Sequence, residues 1–217
     1  LNDFKKPGIP DVDRFTHRLK ELRDELAHKP PEHLAGLTGA EWRKAGVECG
    51  EFRLSLWGKP IRLTYPDWIA YKIDDGKPAA SIELTLLLYY FNIADGTAVE
   101  GNWISFSELP HGKFYNQAFQ GYTGREVSRL FKDDLQAFKT AAEKLGGMGQ
   151  NLGDASYAFW ALPRVPVLVV YWLGDEEFPS SAQILFEASA CHYLTTDACA
   201  ILGSTITRRF ISANNGR

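Results

Sequence analysis

The chain is short of the residues that would restrict what it can be. Its three cysteines, Cys49, Cys191 and Cys199, are odd in number and scattered, without the C-x2-C spacing of a zinc or cluster site. Such a set argues against a disulfide framework and for a reducing, cytoplasmic setting. Cys191 and Cys199 leave a metal or redox reading open beside the commoner one of thiols packed as small apolar side chains. Neither sign of charge is in excess: 24 Lys and Arg face 27 Asp and Glu, for a net −3. That balance speaks against a nucleic-acid backbone as partner, since counterion displacement needs a surplus of cations. No apolar run approaches the ~20 residues of a membrane span; the richest, 82–93, is interrupted by Glu83. Gly-x-Ser-x-Gly, His-Glu-x-x-His, phosphate-loop and dinucleotide fingerprints are all missing, which leaves the common catalytic classes without support. The chain opens at Leu1 rather than Met and lacks the residue order of a signal peptide, so an upstream segment stays open.

What is present fits one domain. At 217 residues, 45% apolar and 24% charged, the chain can bury a core without staples. We expect a single domain over 1–217, with 1–48 as a helical N-terminal segment, 50–203 as the core and 204–217 as the end of a last helix.

Phe15, Leu19, Leu22 and Leu26, following Pro10-Asp11, recur at helical spacing and predict an amphipathic helix that stops near His28, before Pro30-Pro31. Thr38 with Glu41 three residues on reads as a capping box for a second helix to about Ala45. From Gly50 the period falls to two, and Phe52, Leu54 and Leu56 lead through Gly58-Lys59-Pro60 into Ile61-Arg62-Leu63, a β-hairpin. An extended piece follows over 68–73. Residues 79–92 are apolar nearly all round, which predicts a buried helix. Trp103 to Phe106 is a short strand, 114–119 a short helix, and Val127, Leu130, Phe131, Leu135, Phe138 and Ala142 lay out one long helix over 125–145, ended by Gly146-Gly147. A glycine-rich connector over 148–154 leads to strands at 156–162, 166–172 and 182–187. Thr195 or Thr196 caps a final helix to about Ser212, with Asp197 at its positive end. There is no βαβ alternation. The expectation is α+β: mixed or antiparallel sheets from an N-terminal hairpin and a C-terminal meander, packed with about five or six helices.

Two segments stand out chemically. Asp175, Glu176 and Glu177 crowd three carboxylates into one turn between apolar strands, a repulsive arrangement unless a cation, a basic side chain or backbone donors answer it. Oxygen-rich turns hold divalent metals, with Asp175 and Glu177 the candidate ligands; the alternatives are a turn capped by Asp175, or a ligand or partner contact. The second segment sets Trp103, Glu108, His111 and Tyr115 close together on a strand and loop. Glu108 or Glu187 facing Asp175 across a cleft would make a carboxylate pair for acid–base chemistry. His111, on a loop between Pro110 and Gly112, suits a metal, a tetrapyrrole or proton transfer. His192 beside Cys191 would need a third, orienting group to serve a thiol nucleophile. Trp172, next to the acidic turn, joins Trp103 as aromatic surface for a core or a planar ligand.

Leu162-Pro163 with Arg164 and Pro166, then Tyr171-Trp172-x-Gly174-Asp175-Glu176-Glu177-Phe178-Pro179, Ile184-Leu185-Phe186 and Tyr193-Leu194 resemble the pattern of a bacterial and archaeal family, domain of unknown function 3786. The stretch Trp103-x-Ser105-Phe106-x-Glu108-Leu109-Pro110-x-Gly112-x-x-Tyr115 and the Leu145-Gly146-Gly147 stop are similar to it too. The resemblance covers about 50–203. It implies no settled activity. It does imply a setting in anaerobes, where some relatives carry an iron–sulfur segment ahead of this domain, so an iron–sulfur partner is an expectation by resemblance. Where that pattern favours Asp, this chain has Glu187.

From these residues we expect an accessory or binding protein of anaerobic metabolism that presents the 174–179 turn and the 103–115 segment to a partner protein or a cofactor, with corrinoid or other tetrapyrrole handling as one form. The alternative is a carboxylate-based enzyme, with or without a divalent metal.

Overall fold

The computed structural model describes residues 12–215, with side chains from His17 onward. Pro10-Asp11 and the Phe15 side chain, both invoked for the first helix, lie outside that range. The expected α+β class holds, and every strand pair in the two sheets is antiparallel.

Helix α1 (Val12–Leu26) buries Leu22 and Leu26. It is tied to α3 (Ser81–Ile93) by Asn92 Nδ2, which donates to the Leu22 carbonyl at 2.9 Å. Helix α2 is where the sequence reading fails. It runs over Pro31–Thr38 rather than 38–45, and Glu41–Lys44 is a strand, β1. Proline is a start signal as well as a stop signal, because its missing N–H costs nothing at the first helical position, and here Pro31 opens the helix. Thr38 is the last residue, its hydroxyl donating back to the Leu34 carbonyl at 2.7 Å, and Gly39 closes the helix in the left-handed conformation at φ 69°. Trp42 then pairs opposite Phe52, with ring centroids 4.7 Å apart. The helical segment foreseen over 1–48 therefore ends in a strand.

The hairpin is as expected: β2 (Gly50–Leu56) and β3 (Lys59–Tyr65), with β4 (Ala70–Lys72) completing a sheet in the order β1-β2-β3-β4. Its alternation sends Phe52, Leu54, Leu56, Ile61 and Leu63 inward, and Phe52 meets Phe91 of α3 at 4.7 Å. The opposite face carries Arg43, Arg53 and Arg62 with their partners Glu41 and Glu51.

The second sheet has the order β5-β9-β8-β7-β6, from β5 (Trp103–Ser105), β6 (Met148–Gln150), β7 (Ala155–Leu162), β8 (Val165–Trp172) and β9 (Ser181–Glu187). By sequence alone residues 148–154 read as a connector, yet 148–150 form β6. Its backbone pairs with β7 from Met148↔Ala158 to Gln150↔Ser156.

Helices α4 (Gly112–Tyr122), α5 (Gly124–Phe131), α6 (Leu135–Lys144) and α7 (Thr196–Asn215) follow in chain order. The single long helix foreseen over 125–145 is thus two. The chain breaks at Lys132, φ 49°, and Asp134 starts a new helix by accepting the Ala137 N–H at 2.8 Å. The break lets Phe131 and Phe138 both reach Tyr171 and Phe210, while the Tyr171 hydroxyl donates to the carbonyl of Lys132. One hydrophobic cluster joins both sheets and the helices. A smaller one, Ala158, Leu168 and Val170, lies on the opposite face of the second sheet beneath Trp103, Trp172 and Leu185.

Candidate functional site

The acidic turn links β8 to β9, and its chemistry points inward. Asp175 Oδ1 accepts the backbone N–H groups of Glu177 (2.9 Å) and Phe178 (2.7 Å), and the Asp175 N–H donates to the Phe178 carbonyl at 2.8 Å. Those donors hold its carboxyl below the usual carboxylate range. Glu176 and Glu177 lie exposed beside it. Of the answers to the repulsion among three carboxylates, the chain supplies backbone donors. Among the described residues no group of three or more His, Cys, Asp or Glu side chains converges as a metal ligand set.

The other two candidate carboxylates are occupied in the same way. Glu108 Oε2 accepts both the backbone N–H and the hydroxyl of Ser105, each at 2.7 Å, closing a capping box on the short 3-10 turn after β5. The backbone bond first and the hydroxyl second lower its carboxyl from the ordinary value. Glu187, at the end of β9, is only 1% exposed. Its Oε1 accepts the Glu100 N–H at 3.1 Å, and its Oε2 takes the Ser189 N–H at 2.7 Å and the Ser189 hydroxyl. Burial pushes this carboxyl up, and the four donors around it, from Ser189, Glu100 and Asn102, outweigh burial and leave it low. No hydrogen bond or ion pair joins Glu108, Asp175 and Glu187 to one another among the described residues; Asp175 and Glu108 serve their own segments, and Glu187 ties the chain at Glu100 to the end of β9.

Trp103 and Trp172 share one surface. Strand alternation puts both on the face of the second sheet away from the helices, packed on Ala158, Leu168 and Val170. They are apart along the strands, since Trp103 pairs opposite Glu187 and Trp172 opposite Ser181.

The structure does bring His111 and Tyr115 together with another part of the chain. A 420 Å³ cleft separates the 106–115 segment from the turn and helix start at 191–197, lined by Pro110, His111 and Tyr115 on one side and by Cys191, Thr195 and Asp197 on the other. The Thr196 hydroxyl donates to the Pro110 carbonyl at 2.6 Å and pins the two walls. Thr195, not Thr196, caps α7, accepting the Ala198 N–H at 3.2 Å. The near wall is built under constraint. His111 holds a left-handed conformation, φ 62°, which non-glycine residues adopt at a cost. A Cβ on Gly112 would lie 1.9 Å from the Phe106 carbonyl oxygen, so only glycine lets the chain fold over that turn. Tyr115 and Asp197 also line a second, adjoining cleft of 620 Å³ with Tyr122, Glu126 and Arg208. Burial raises the Tyr122 phenol there, reinforced by the Tyr115 hydroxyl.

Behind the far wall stands a pair that the sequence did not reveal. His192 Nδ1 lies 2.7 Å from Asp95 Oδ2, and Asp95 Oδ1 accepts the Thr97 hydroxyl (2.7 Å) and N–H (2.9 Å). The Thr97 hydroxyl first, then His192, hold the Asp95 carboxyl down at about 2. The third group that a Cys191–His192 arrangement would need is thus present. The Cys191 thiol itself turns to the Ala188 carbonyl, at 3.8 Å. Asp95 and His192 are 97 residues apart, and no sequence spacing signals their meeting.

A family model described as "Domain of unknown function (DUF3786)" matches residues 30–209, most of the chain. No curated protein and no solved structure matches it. Among the described residues no helix is long and apolar enough to cross a membrane.

Proposed function

We propose that this chain, which belongs to the domain-of-unknown-function family DUF3786, is a binding protein whose ligand or partner sits in the cleft between 106–115 and 191–197. The observation that carries the reading is a contrast. An imidazole, a phenol, a thiol and a carboxylate that caps no turn face one concavity, whereas Asp175, Glu108 and Glu187 are occupied by backbone N–H and serine hydroxyl donors, and Glu176 and Glu177 stand exposed on the turn. A carboxylate-based enzyme fits this geometry less well, because depressed pKa values and backbone-bound oxygens suit caps rather than proton transfer. The family resemblance adds an accessory role in an anaerobe beside an iron–sulfur partner; the scattered cysteines add a cytoplasmic setting, and the loop imidazole of His111 adds tetrapyrrole handling as one form of it. His111 and Cys191 are the side chains that such a group would meet.

Binding hot spots concentrate in pockets that accept small probes. A fragment library screened by two-dimensional amide NMR should therefore give shifts clustered on 109–115 and 191–197. Hits confined to other surfaces, or none at all, would remove the cleft as the site.

A further inference from the structure

A cleft of 640 Å³ lies elsewhere, among the β2–β3 turn, the start of α3, the end of α6 and the last turns of α7. Four cations line it, Lys59, Lys144, Arg208 and Arg209, against one carboxylate, Glu83. Glu83 is already engaged. Its Oε2 accepts the Ala80 N–H at 2.7 Å and lies 3.6 Å from Lys72 Nζ. Among the described residues no carboxylate pairs with any of the four cations. Lys59, Lys144 and Arg208 are exposed, so water solvates them, but Arg209 is half-buried. Its Nη1 donates to the Trp57 carbonyl at 3.2 Å, and its guanidinium sits 5.3 Å from the centre of the Trp57 ring. A guanidinium has five N–H donors and carries its charge at every ordinary pH. Held out of water without an anion, it is a costly group. Burial accordingly lowers its pKa. The rest of the lining is largely apolar: Leu56, Leu86 and Leu145 with Ile82, which is 45% exposed.

We propose that this cleft binds a small amphipathic organic anion, its carboxylate or phosphate head against Arg208, Arg209 and Lys144 and its hydrocarbon body against Ile82, Leu86 and Leu145. Charge complementarity selects the head, since four cations line the site against the single carboxylate of Glu83, which Lys72 already meets from outside the cleft. The head alone is insufficient, because most of the lining is apolar surface that only a hydrocarbon body covers. The cleft shares no lining residue with the one beside His111 and Cys191, although Arg208 also lines the 620 Å³ cleft that adjoins the latter, and the proposal stands whether or not the His111 cleft binds anything.

The probes are decanoate, decyl phosphate, decan-1-ol and inorganic phosphate, each titrated into the full chain while the Trp57 indole and Arg209 side-chain signals are followed by NMR. Both amphipathic anions should bind saturably at those signals, and decanol and inorganic phosphate about tenfold or more weaker. Raising salt to about 0.5 M should weaken the anions several-fold. Lys144→Glu combined with Arg208→Glu, both at exposed positions, should reduce anion binding about tenfold or more, with Lys59→Glu as a second variant if that pair fails to fold. Tyr115→Ala should leave the affinity unchanged, which separates this site from the His111 cleft. Decanol binding as tightly as decanoate, indifference to charge reversal, or no saturable binding of either anion would overturn the proposal. So would binding to phosphatidylglycerol vesicles without binding of the free anions, which would mark a membrane-surface patch instead.

Discussion

The acidic turn at 174–179 and the segment at 106–115 are built with opposite intent. In the turn, the conspicuous carboxylate bonds to the next residues of its own chain, and among the described residues no hydrogen bond or ion pair reaches the Glu176 or Glu177 side chain. In the 106–115 segment, Glu108 closes the local turn and so leaves His111 and Tyr115 to face a distant part of the chain, 191–197, across a cleft. The more eye-catching motif is the more self-sufficient one. A residue string can mark a family because the fold needs it, and the fold needs the turn in order to return β8 to β9 with Asp175 as its cap.

The comparison can be broken at several points. The largest effect should come from Gly112→Ala. The added methyl meets a backbone oxygen that cannot step aside, and we expect a loss of about 3 kcal/mol in urea unfolding together with loss of fragment shifts at the cleft. Glu187→Ala should follow, at about 2 kcal/mol, because it strands buried donors from Ser189 and Glu100. Its pH signature is definite. The folded-state pKa is depressed, so the native state releases the proton more readily than the unfolded chain. The stabilisation is complete above the ordinary carboxylate value of about 4.3 and is lost as pH falls through the lower folded value. Wild-type stability should accordingly drop in acid more steeply than that of Glu187→Gln.

His111→Gly separates stability from binding. Relieving the left-handed backbone should raise stability by up to about 1 kcal/mol, while fragment binding at the cleft weakens. A loss of stability together with unchanged binding would show that the imidazole serves the fold. The smallest effect belongs to the acidic turn. Glu176→Gln with Glu177→Gln should leave unfolding and cleft shifts unchanged, and Asp175→Asn should only loosen the turn, seen as faster amide exchange at Glu177 and Phe178. If these three substitutions abolish partner binding while His111 and Tyr115 variants do not, the two segments have been ranked the wrong way round.

Much of the fold was legible because period is a physical signal. Alternation at Phe52, Leu54 and Leu56 marks a half-buried strand, the short β-branched run at 167–171 suits a central strand, and the apolar stretch at 79–92 is long enough for a core helix. The errors fall where two signals compete. Pro30-Pro31 ends one helix and begins the next, and Thr38 with Glu41 imitates a capping box while its hydroxyl bonds backward. Asp133-Asp134 carries an N-cap inside an otherwise continuous apolar stripe. At the site, His111 and Tyr115 were visible as residue types on a loop. Their approach to Cys191 and Asp197, and the meeting of Asp95 with His192, depend on how distant elements pack, and no local spacing encodes that.

The most direct test uses the three cysteines the chain already has. Cys191 lines the cleft, Cys49 is exposed away from it, and Cys199 is buried. Alkylation rates at each, read by mass spectrometry on the protein in fresh cell extract and again after purification, compare the occupied and the bare cleft within one molecule. Cys191 should be several-fold slower in extract than after purification, with Cys49 unchanged, as expected when a ligand or partner excludes the reagent. Equal rates for Cys191 in both settings would contradict a cleft that is occupied in the cell.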